Sequence, residues 1–388
     1  MGGGVSVPRG QRLVRPENEN PGTAGSRDHE GMVANRRRAS SGSEPPEISV
    51  VMGVRDGERE LGATLASLFA QREVALEVVV VDDGSRDGTP ELLARTAAGE
   101  PRLRVLRQEP SGLTAALAHG CAAARAPLIA RQDCGDLSHP DRLAWQKAAL
   151  DAHPGVTFVS CWTLCTGPAG EPLYRVAGRA TPDRPLPVPL PLPGAPQIGP
   201  SSHGSVLFRR ASYEAAGGYR REFALGQDWD LWYRLGLMGE FLMVGDPLYL
   251  RRLLPESLSF AAHDLQVRFG RLAREAARCR AAGESDAVAV QAAEALSARF
   301  ARERRARQRR APGLGAYHLG ALLRELGDRR AAGYLAAAVR RRPWDPKAWL
   351  RWGQAVIRPR PSLPAPGFDT AEAVMLLDLA REVREGAS

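Results

Sequence analysis

The fold is decided by residues 78–90, which read Val-Val-Val-Val-Asp-Asp-Gly-Ser-Arg-Asp-Gly-Thr-Pro. Four consecutive valines are typical of a strand that is buried on both faces. The acidic and glycine residues end that strand, and Thr89, Pro90 and Glu91 mark the start of a helix through a cap, a fixed φ and a favourable charge. This order predicts one strand–turn–helix unit of a parallel sheet.

The same alternation continues on both sides of this stretch. Three more short β-branched or apolar runs predict strands, at residues 48–52, 103–106 and 127–130. Leu61, Leu65 and Leu68 recur at helical spacing between the first two strands. We therefore expect an α/β fold with a mostly parallel, Rossmann-like sheet flanked by helices.

Composition divides the chain into three predicted regions. Residues 1–46 are rich in Gly, Pro, Ser and Asn and predict a disordered tail. The α/β pattern occupies residues 47–262 and includes a proline-rich connection at 181–200. Residues 263–388 predict an Arg- and Ala-rich all-helical extension, within which residues 316–349 resemble one tetratricopeptide-like hairpin.

The net charge of +9 comes from the helical extension. Residues 268–342 hold 18 arginines against seven acidic residues, so the remainder of the chain is slightly acidic. A solvated helix face is the default interpretation of such a segment, and phosphate binding is the alternative. The distribution does not indicate a specific nucleic-acid partner.

The chain shows neither membrane spans nor export signals. No uninterrupted apolar run approaches the ~18 residues of a spanning helix, and the arginines near the start precede no apolar segment. The five cysteines include no pair at Cys-x-x-Cys spacing. We expect a cytoplasmic protein with free thiols.

Acidic residues follow two of the predicted strands. Asp82 and Asp83 end one strand, and Asp133 and Asp136 follow another. Because ligands of parallel sheets bind beyond the carboxyl ends of the strands, these groups are candidates for holding a cation or ligand hydroxyl and imide groups. The alternative is that some of them only cap turns and helices, as Asp87 is placed to do.

Six motifs in order resemble family 2 glycosyltransferases over about residues 47–260. They are Ile48–Met52, Val80–Thr89, Ala130–Asp133, Ser138–Leu143, His203–Val206 and Gln227–Trp232. The resemblance implies a GT-A type fold, a nucleotide-diphosphate sugar donor and transfer with inversion. It also implies that Asp228 is the general base that takes the proton of the acceptor hydroxyl.

The resemblance assigns donor and acceptor sides to other residues. The donor-binding residues that it implies are Val54, Asp82, Asp83, Arg131 and Asp133. On the acceptor side it implies His203 and Trp229. A structural role for the lone His203, and core packing for one of Trp229 and Trp232, remain the alternatives.

The implied metal site departs from the family pattern. Asp133 and Asp136 would hold Mg²⁺ or Mn²⁺ against the diphosphate. However, Gly135 stands where the family commonly has an acid, and Leu254 stands where related sequences often place a histidine. A weaker, a reorganised and a lost cation site all stay open. Gly135 allows the chain to turn so that Asp136 joins Asp133.

We expect an inverting transferase that builds cell-envelope or exported polysaccharide. Its partners would be the sugar donor, a saccharide or lipid-linked acceptor and, through the basic helices, the inner membrane face as a peripheral contact. One alternative is a degenerate GT-A domain that binds a nucleotide or a partner without transfer. Another is a binder of nucleic acid or anionic membrane that acts through residues 299–310.

Overall fold

The computed structural model describes residues 45–177, 199–357 and 373–378. Almost all of the predicted tail at residues 1–46, and most of the proline-rich connection at 181–200, lie outside the described residues. The boundaries of the three predicted regions stay predictions.

A single sheet forms the centre of the described structure. Its strands are β1 (Ile48–Val54), β2 (Leu76–Asp82), β3 (Leu103–Arg107), β4 (Leu128–Arg131), β5 (Leu137–Ser138), β6 (Val156–Thr166), β7 (Pro172–Val176), β8 (Leu207–Arg209) and β9 (Glu240–Arg252). The spatial order is β3-β2-β1-β4-β8-β6-β9-β5, and β7 also pairs with β6. All four strands predicted before residue 135 are present.

Helices lie on both faces of the sheet and continue beyond it. They are α1 (Glu58–Phe69), α2 (Thr89–Gly99), α3 (Leu113–Ala123), α4 (Arg142–Ala152), α5 (Arg210–Ala215), α6 (Gln227–Gly236), α7 (Leu258–Ala261), α8 (His263–Ala281), α9 (Ala287–Glu325), α10 (Ala331–Arg341) and α11 (Pro346–Ile357). The helix predicted at Thr89 and Pro90 begins at Thr89.

The central strands bury side chains on both faces because successive residues of a strand point to opposite sides. Val50 and Met52 pack in a core with α1, α2 and α4. Val51 packs on the other face, in a core with α3, α5 and α6. The continuous apolar runs in the sequence are explained by these two layers.

The predicted α/β fold class is confirmed, and the sheet is mixed. Strands β1 to β4 pair in parallel, as do β6 and β9. The pairs β4–β8, β6–β8, β6–β7 and β5–β9 are antiparallel. The parallel prediction came from the strand–helix units before residue 135, and the later strands follow a different connection pattern.

The C-terminal helices pack against the far end of the sheet. Leu319 and Leu323 of α9 form a buried cluster with Cys165 of β6 and Leu253. Tyr334 Oη of α10 donates a hydrogen bond of 2.8 Å to Glu171 Oε1. The helical region is therefore joined to the strand ends that carry the site described below.

No helix among the residues described here combines the length and the apolar character needed to cross a membrane.

Candidate functional site

The predicted donor residues gather at one edge of the sheet. Strands β1, β2 and β4 are neighbours and run in parallel, so their carboxyl ends lie side by side. Val54 pairs with Asp82 across β1 and β2, and its carbonyl accepts a hydrogen bond from Asp83 N–H at 2.8 Å. The side chain of Val54 is buried in the core, so any ligand contact of this residue falls to its backbone.

Asp82 and Asp83 have different surroundings although they are adjacent. Asp83 Oδ1 accepts from Ser111 N–H at 2.7 Å and from Gln108 Nε2 at 2.9 Å, and Asp83 Oδ2 accepts from Gly112 N–H at 2.9 Å. Asp83 thereby fixes the loop that begins α3.

Asp82 keeps one buried oxygen without a hydrogen bond. Its Oδ1 accepts from Ser85 N–H at 2.9 Å, whereas its Oδ2 has no hydrogen-bond partner and lies 3.6 Å from Arg107 Nε. An unsatisfied acceptor in a buried position is costly in free energy unless a ligand completes it. Asp82 Oδ2 is therefore the group of this pair that is available to a donor N–H.

Asp133 is ion-paired to a fully buried arginine. Arg131 Nη2 donates to Asp133 Oδ1 at 2.6 Å, and the carboxylate remains about one-third exposed, at 35%. Arg131 Nη1 donates to the carbonyls of Val51 and Gln132 at 2.6 and 2.7 Å. The positive charges of Arg131 and nearby Arg251 hold the pKa of Asp133 below its usual value despite burial.

His203 is held in its neutral form by the same arginine. Arg131 Nε donates to His203 Nε2 at 3.3 Å, so Tyr219 Oη, at 2.8 Å from the same nitrogen, must also donate to it. Burial, with the charge of Arg131, lowers the pKa of His203 to about 3. His203 is thus an acceptor that orients Arg131 and Tyr219, and it lies beside Asp133 on the cleft.

Asp136 turns back toward Asp133, as Gly135 allows. Gly135 adopts φ of 96°, and Asp136 N–H donates to the Asp133 carbonyl at 3.2 Å. Both carboxylate oxygens of Asp136 are then occupied, by Tyr249 Oη at 2.9 Å and by Arg252 N–H at 3.1 Å. Burial and the charge of Asp133 raise the pKa of Asp136.

The two acids of α6 separate clearly into two roles. Asp230 is buried in ion pairs with Arg220 and with Arg234, whose Nη2 lies 2.6 Å from Asp230 Oδ2. Asp228 forms no ion pair among the residues described, and its Oδ1 accepts only from Trp229 N–H, at 2.9 Å. Its position in the first turn of the helix favours a negative charge.

Asp228 interacts electrostatically with Asp133 and with Arg251. Burial raises the pKa of Asp228 to about 6, the charge of Asp133 adds to the rise, and the charge of Arg251 opposes it. Residues 95 positions apart in sequence are thus close enough for their charges to interact. Among the carboxyl groups that the motifs singled out, Asp133 and Asp136 share one hydrogen-bonded network through Tyr249, and the charge of Asp133 reaches Asp228.

Trp229 lies at the border of this space and also packs in the core. Its ring is 5.1 Å from that of Trp232 in an edge-on arrangement and 6.0 Å from that of Tyr233. Trp232 is buried, whereas Trp229 is half-buried. Packing therefore accounts for Trp232 fully and for Trp229 in part.

The acidic residues do not form the two-carboxylate metal site that the family pattern implies. Of the four oxygens of Asp133 and Asp136, only Asp133 Oδ2 lacks a hydrogen bond to another described residue. Within residues 45–177, 199–357 and 373–378, no group of three or more His, Cys, Asp and Glu side chains is arranged to hold a metal ion. Because the hydrogen bonds of Asp136 compete with a cation for its oxygens, this donor set is a poor fit for a divalent cation.

Two functional candidates of β9 were missed in the sequence. Tyr249 Oη joins Asp133 N–H to Asp136 Oδ2, and Arg251 acts electrostatically on Asp133, Asp136 and Asp228. A usable signal was present: polar Tyr249 and Arg251 alternate with apolar Leu248 and Leu250, which is typical of a strand with one face on a polar site.

Chemically, the cleft combines a base and two cations. Asp228 can accept a proton, and Arg131 and Arg251 supply positive charge beside Asp133. Such an arrangement suits a substrate with an anionic group and an ionisable hydroxyl.

Comparison with known proteins identifies this arrangement. The model of the family described as "Glycosyl transferase family 2" matches residues 49–213. The chain is 34% identical to putative glycosyltransferase EpsE of Bacillus subtilis over 194 residues, 49% of this chain and 66% of that relative. It is 29% identical to succinoglycan biosynthesis protein ExoU of Rhizobium meliloti over 201 residues, 49% of this chain and 57% of that relative.

Solved glycosyltransferases also align with the chain. Mannosyltransferase PcManGT from Pyrobaculum calidifontis, in complex with GDP-Man and Mn²⁺, matches with a TM-score of 0.45 and 18% identity, covering 89% of each chain. The matches to the two curated relatives each span less than two thirds of the relative's own length. On its motifs and its family match, the segment at residues 49–213 of this chain is similar to glycosyl transferase family 2.

Proposed function

We propose that the protein transfers a sugar, with inversion, from a nucleotide-diphosphate sugar to an acceptor hydroxyl. The observation that carries the proposal is that Asp228, which forms no ion pair among the described residues, lies within electrostatic reach of the Arg131–Asp133 ion pair. Similarity to the family supports the donor class.

In the reaction, Asp228 accepts the proton of the acceptor hydroxyl as its oxygen attacks the anomeric carbon. The bond from that carbon to the diphosphate breaks at the opposite face, and its electron pair passes to the phosphate oxygen. A pKa near 6 leaves Asp228 mostly ionised at neutral pH and close enough to neutrality for efficient proton transfer.

At the donor end, Asp82 Oδ2 accepts a hydrogen bond from the N–H of the nucleotide base. Its burial and its missing partner support this role. Asp83 orders the neighbouring loop, and Arg131 orients Asp133 toward the donor.

The product is an exported or cell-envelope polysaccharide, built on a saccharide or lipid-linked acceptor. The names of the relatives support this assignment, since one is a succinoglycan biosynthesis protein. We place the reaction in the cytoplasm, where nucleotide-sugars are made.

The test is a panel of UDP-, GDP-, ADP-, CDP- and dTDP-sugars incubated with the purified full chain, with Mn²⁺ and with EDTA. Release of one nucleoside diphosphate is expected, and Asp228→Asn should abolish it. Nucleotide binding without release in any combination, including with saccharide acceptors, would instead support a domain that binds without transfer.

The basic helices suit a peripheral contact with an anionic membrane face. Arg302, Arg305 and Arg309 are exposed on α9, and their spacing of three and four residues places them on one face. None of them forms an ion pair among the described residues, whereas Arg307 pairs with Asp264 and Glu303. Each such arginine contributes about 1 kcal/mol near an anionic surface.

Flotation with vesicles containing phosphatidylserine tests the contact. Changing all three arginines to glutamine should lower the bound fraction markedly, and added salt should do the same. The control variant changes three exposed arginines outside α9, at positions 72, 95 and 221, to glutamine. It should bind the vesicles as the wild type does. Equal binding to neutral and anionic vesicles would contradict the contact.

A further inference from the structure

Arg251 lies on the face of β9 that carries the acidic cleft. It follows Tyr249 by two residues, so both side chains project from the same face of the strand. Tyr249 Oη contacts Asp133 N–H and Asp136 Oδ2 on that face. Cys165 of β6 is the direct strand partner of Arg251.

The charge of Arg251 reaches each acid of the site. It lowers the pKa of Asp133, of Asp136 and of Asp228. Together with its place on β9 beside Tyr249, this puts the guanidinium within electrostatic reach of the acids at the end of β4 and of the acid that begins α6.

The other arginines of the cleft are already occupied. Arg131 donates to two carbonyls, to Asp133 and to His203. Arg142 donates to the carbonyls of Gly204 and Arg131, and Arg252 pairs with Glu60. Most of their donors are committed to the protein, although Arg142 Nε is buried without a hydrogen-bond partner among the described residues.

Arg251 differs from all of them. It is half-buried, yet no hydrogen bond and no ion pair within 4 Å joins its guanidinium to another described residue. Five donors without hydrogen-bond partners among the described residues, held beside the acids of the site, suit a multiply charged anion such as a diphosphate, whose oxygens match the planar guanidinium. The metal position, by contrast, offers only one carboxylate oxygen without a partner.

We propose that Arg251 supplies, in place of a divalent cation, the positive charge that binds the donor diphosphate and stabilises the nucleoside diphosphate as it leaves. The inference rests on the proposed transfer function and deepens it. As the bond between the anomeric carbon and the diphosphate oxygen breaks, the oxygen takes the electron pair and accepts N–H bonds from Arg251. The proton of the acceptor passes to Asp228. Charge-assisted bonds of this kind are about twice as strong as neutral ones.

Titration calorimetry on the full chain tests the proposal with UDP, GDP, ADP, CDP and dTDP, in EDTA and in Mn²⁺. For the nucleotide that binds, wild-type affinity should agree within about twofold between the two conditions. Arg251→Gln should weaken binding of the diphosphate about 10- to 100-fold and leave binding of the matching phosphate-free nucleoside unchanged. The diphosphate affinity of Arg251→Lys should lie between those of the wild type and Arg251→Gln. Lysine keeps the positive charge but loses the two parallel N–H donors of the guanidinium.

Arg95→Gln is the matched control, since Arg95 is exposed on α2 and its change removes the same charge. It should bind as the wild type does. Thermal unfolding of each variant shows whether it is folded, and the wild-type comparison of EDTA with Mn²⁺ does not depend on any variant.

Two results would overturn the proposal and leave the proposed function standing. The first is nucleoside diphosphate binding to the wild type that EDTA abolishes and Mn²⁺ restores. The second is a nucleoside diphosphate affinity of Arg251→Gln that equals that of the wild type. Failure of every nucleoside diphosphate to bind under either condition would instead refute the proposed function, and this inference with it.

Discussion

The acids that follow β2 and the acids that line the cleft beyond β4 look alike in sequence and are neutralised in different ways. Asp83 is satisfied by N–H groups of the loop at residues 108–112, and Asp87 by those of Thr89 and of Glu58 in α1. Asp133 faces Arg131, and Asp228 contacts no cationic side chain in the part of the chain that the structure describes. The first group orders the structure, and the second retains charge for a ligand. A position at a strand end thus predicts where an acid lies, and its partners decide what it does.

The largest effect is expected at Asp228. Changing it to asparagine removes the proton acceptor and keeps the side-chain volume, so kcat should fall at least ~10²-fold. The nucleoside diphosphate affinity should stay within about threefold, because Asp228 acts on the acceptor. Steady-state kinetics and calorimetry measure the two quantities. A loss of affinity with unchanged kcat would place Asp228 in the donor group instead.

Substitutions in the group of acids that follows β2 should change the free energy of unfolding. Asp83→Ala leaves the N–H groups of Ser111 and Gly112 without their acceptor, which should lower the free energy of unfolding by about 1–3 kcal/mol. Asp82→Asn is the matched variant, since Asp82 Oδ2 has no hydrogen-bonded partner to lose. It should change stability by less than about 0.5 kcal/mol and weaken nucleotide binding. Chemical denaturation distinguishes them, and the reverse ranking would break the comparison.

The pH dependence of the reaction sharpens the role of the second group. The folded pKa of Asp228 is raised to about 6, so the base is ionised above that pH and protonated below it. We expect kcat/KM to be flat from about pH 7 upward and to fall about tenfold per unit below pH 6. If the residual activity of Asp228→Asn still falls in the same way below pH 6, the fall in kcat/KM is caused by the titration of another group.

The smallest effect is expected at Asp136. Asparagine keeps an acceptor for Arg252 N–H, and its amide N–H can donate to Tyr249 Oη in place of the bond that the tyrosine donates in the wild type, so most of the internal network survives. Turnover of Asp136→Asn should stay within about threefold of the wild type. A loss of 100-fold that Mn²⁺ partly rescues would show that Asp136 is a metal ligand after all.

The N-terminal half of the fold could be predicted because its signals are local. Buried apolar runs and helix starts such as Thr89-Pro90 locate β1 to β4 and their helices without any tertiary information. The same rules placed Asp82, Asp83 and Asp133 at one edge of the sheet. They could not distinguish Asp83 from Asp82, because the distinguishing donors belong to the loop at residues 108–112.

The sequence of β9 indicates a polar face at Tyr249 and Arg251, but it does not show which site that face meets. The pairing of β9 with β6 shifts register between Val156 and Phe158 and again on both sides of Trp162. Each irregularity changes which face a side chain takes, so counting from the start of β9 does not place Tyr249 and Arg251 on the side of the acids. The antiparallel direction of the later strands was not predicted for a related reason, since long connections rather than local turns set their direction.

A crystal structure of the chain with its preferred nucleoside diphosphate tests the central claim most directly. The account predicts the β-phosphate within about 3 Å of the Arg251 guanidinium, with Asp228 facing the same space from α6. A divalent ion between Asp133 and Asp136 that carries the phosphates, or a diphosphate bound away from Arg251, would contradict it.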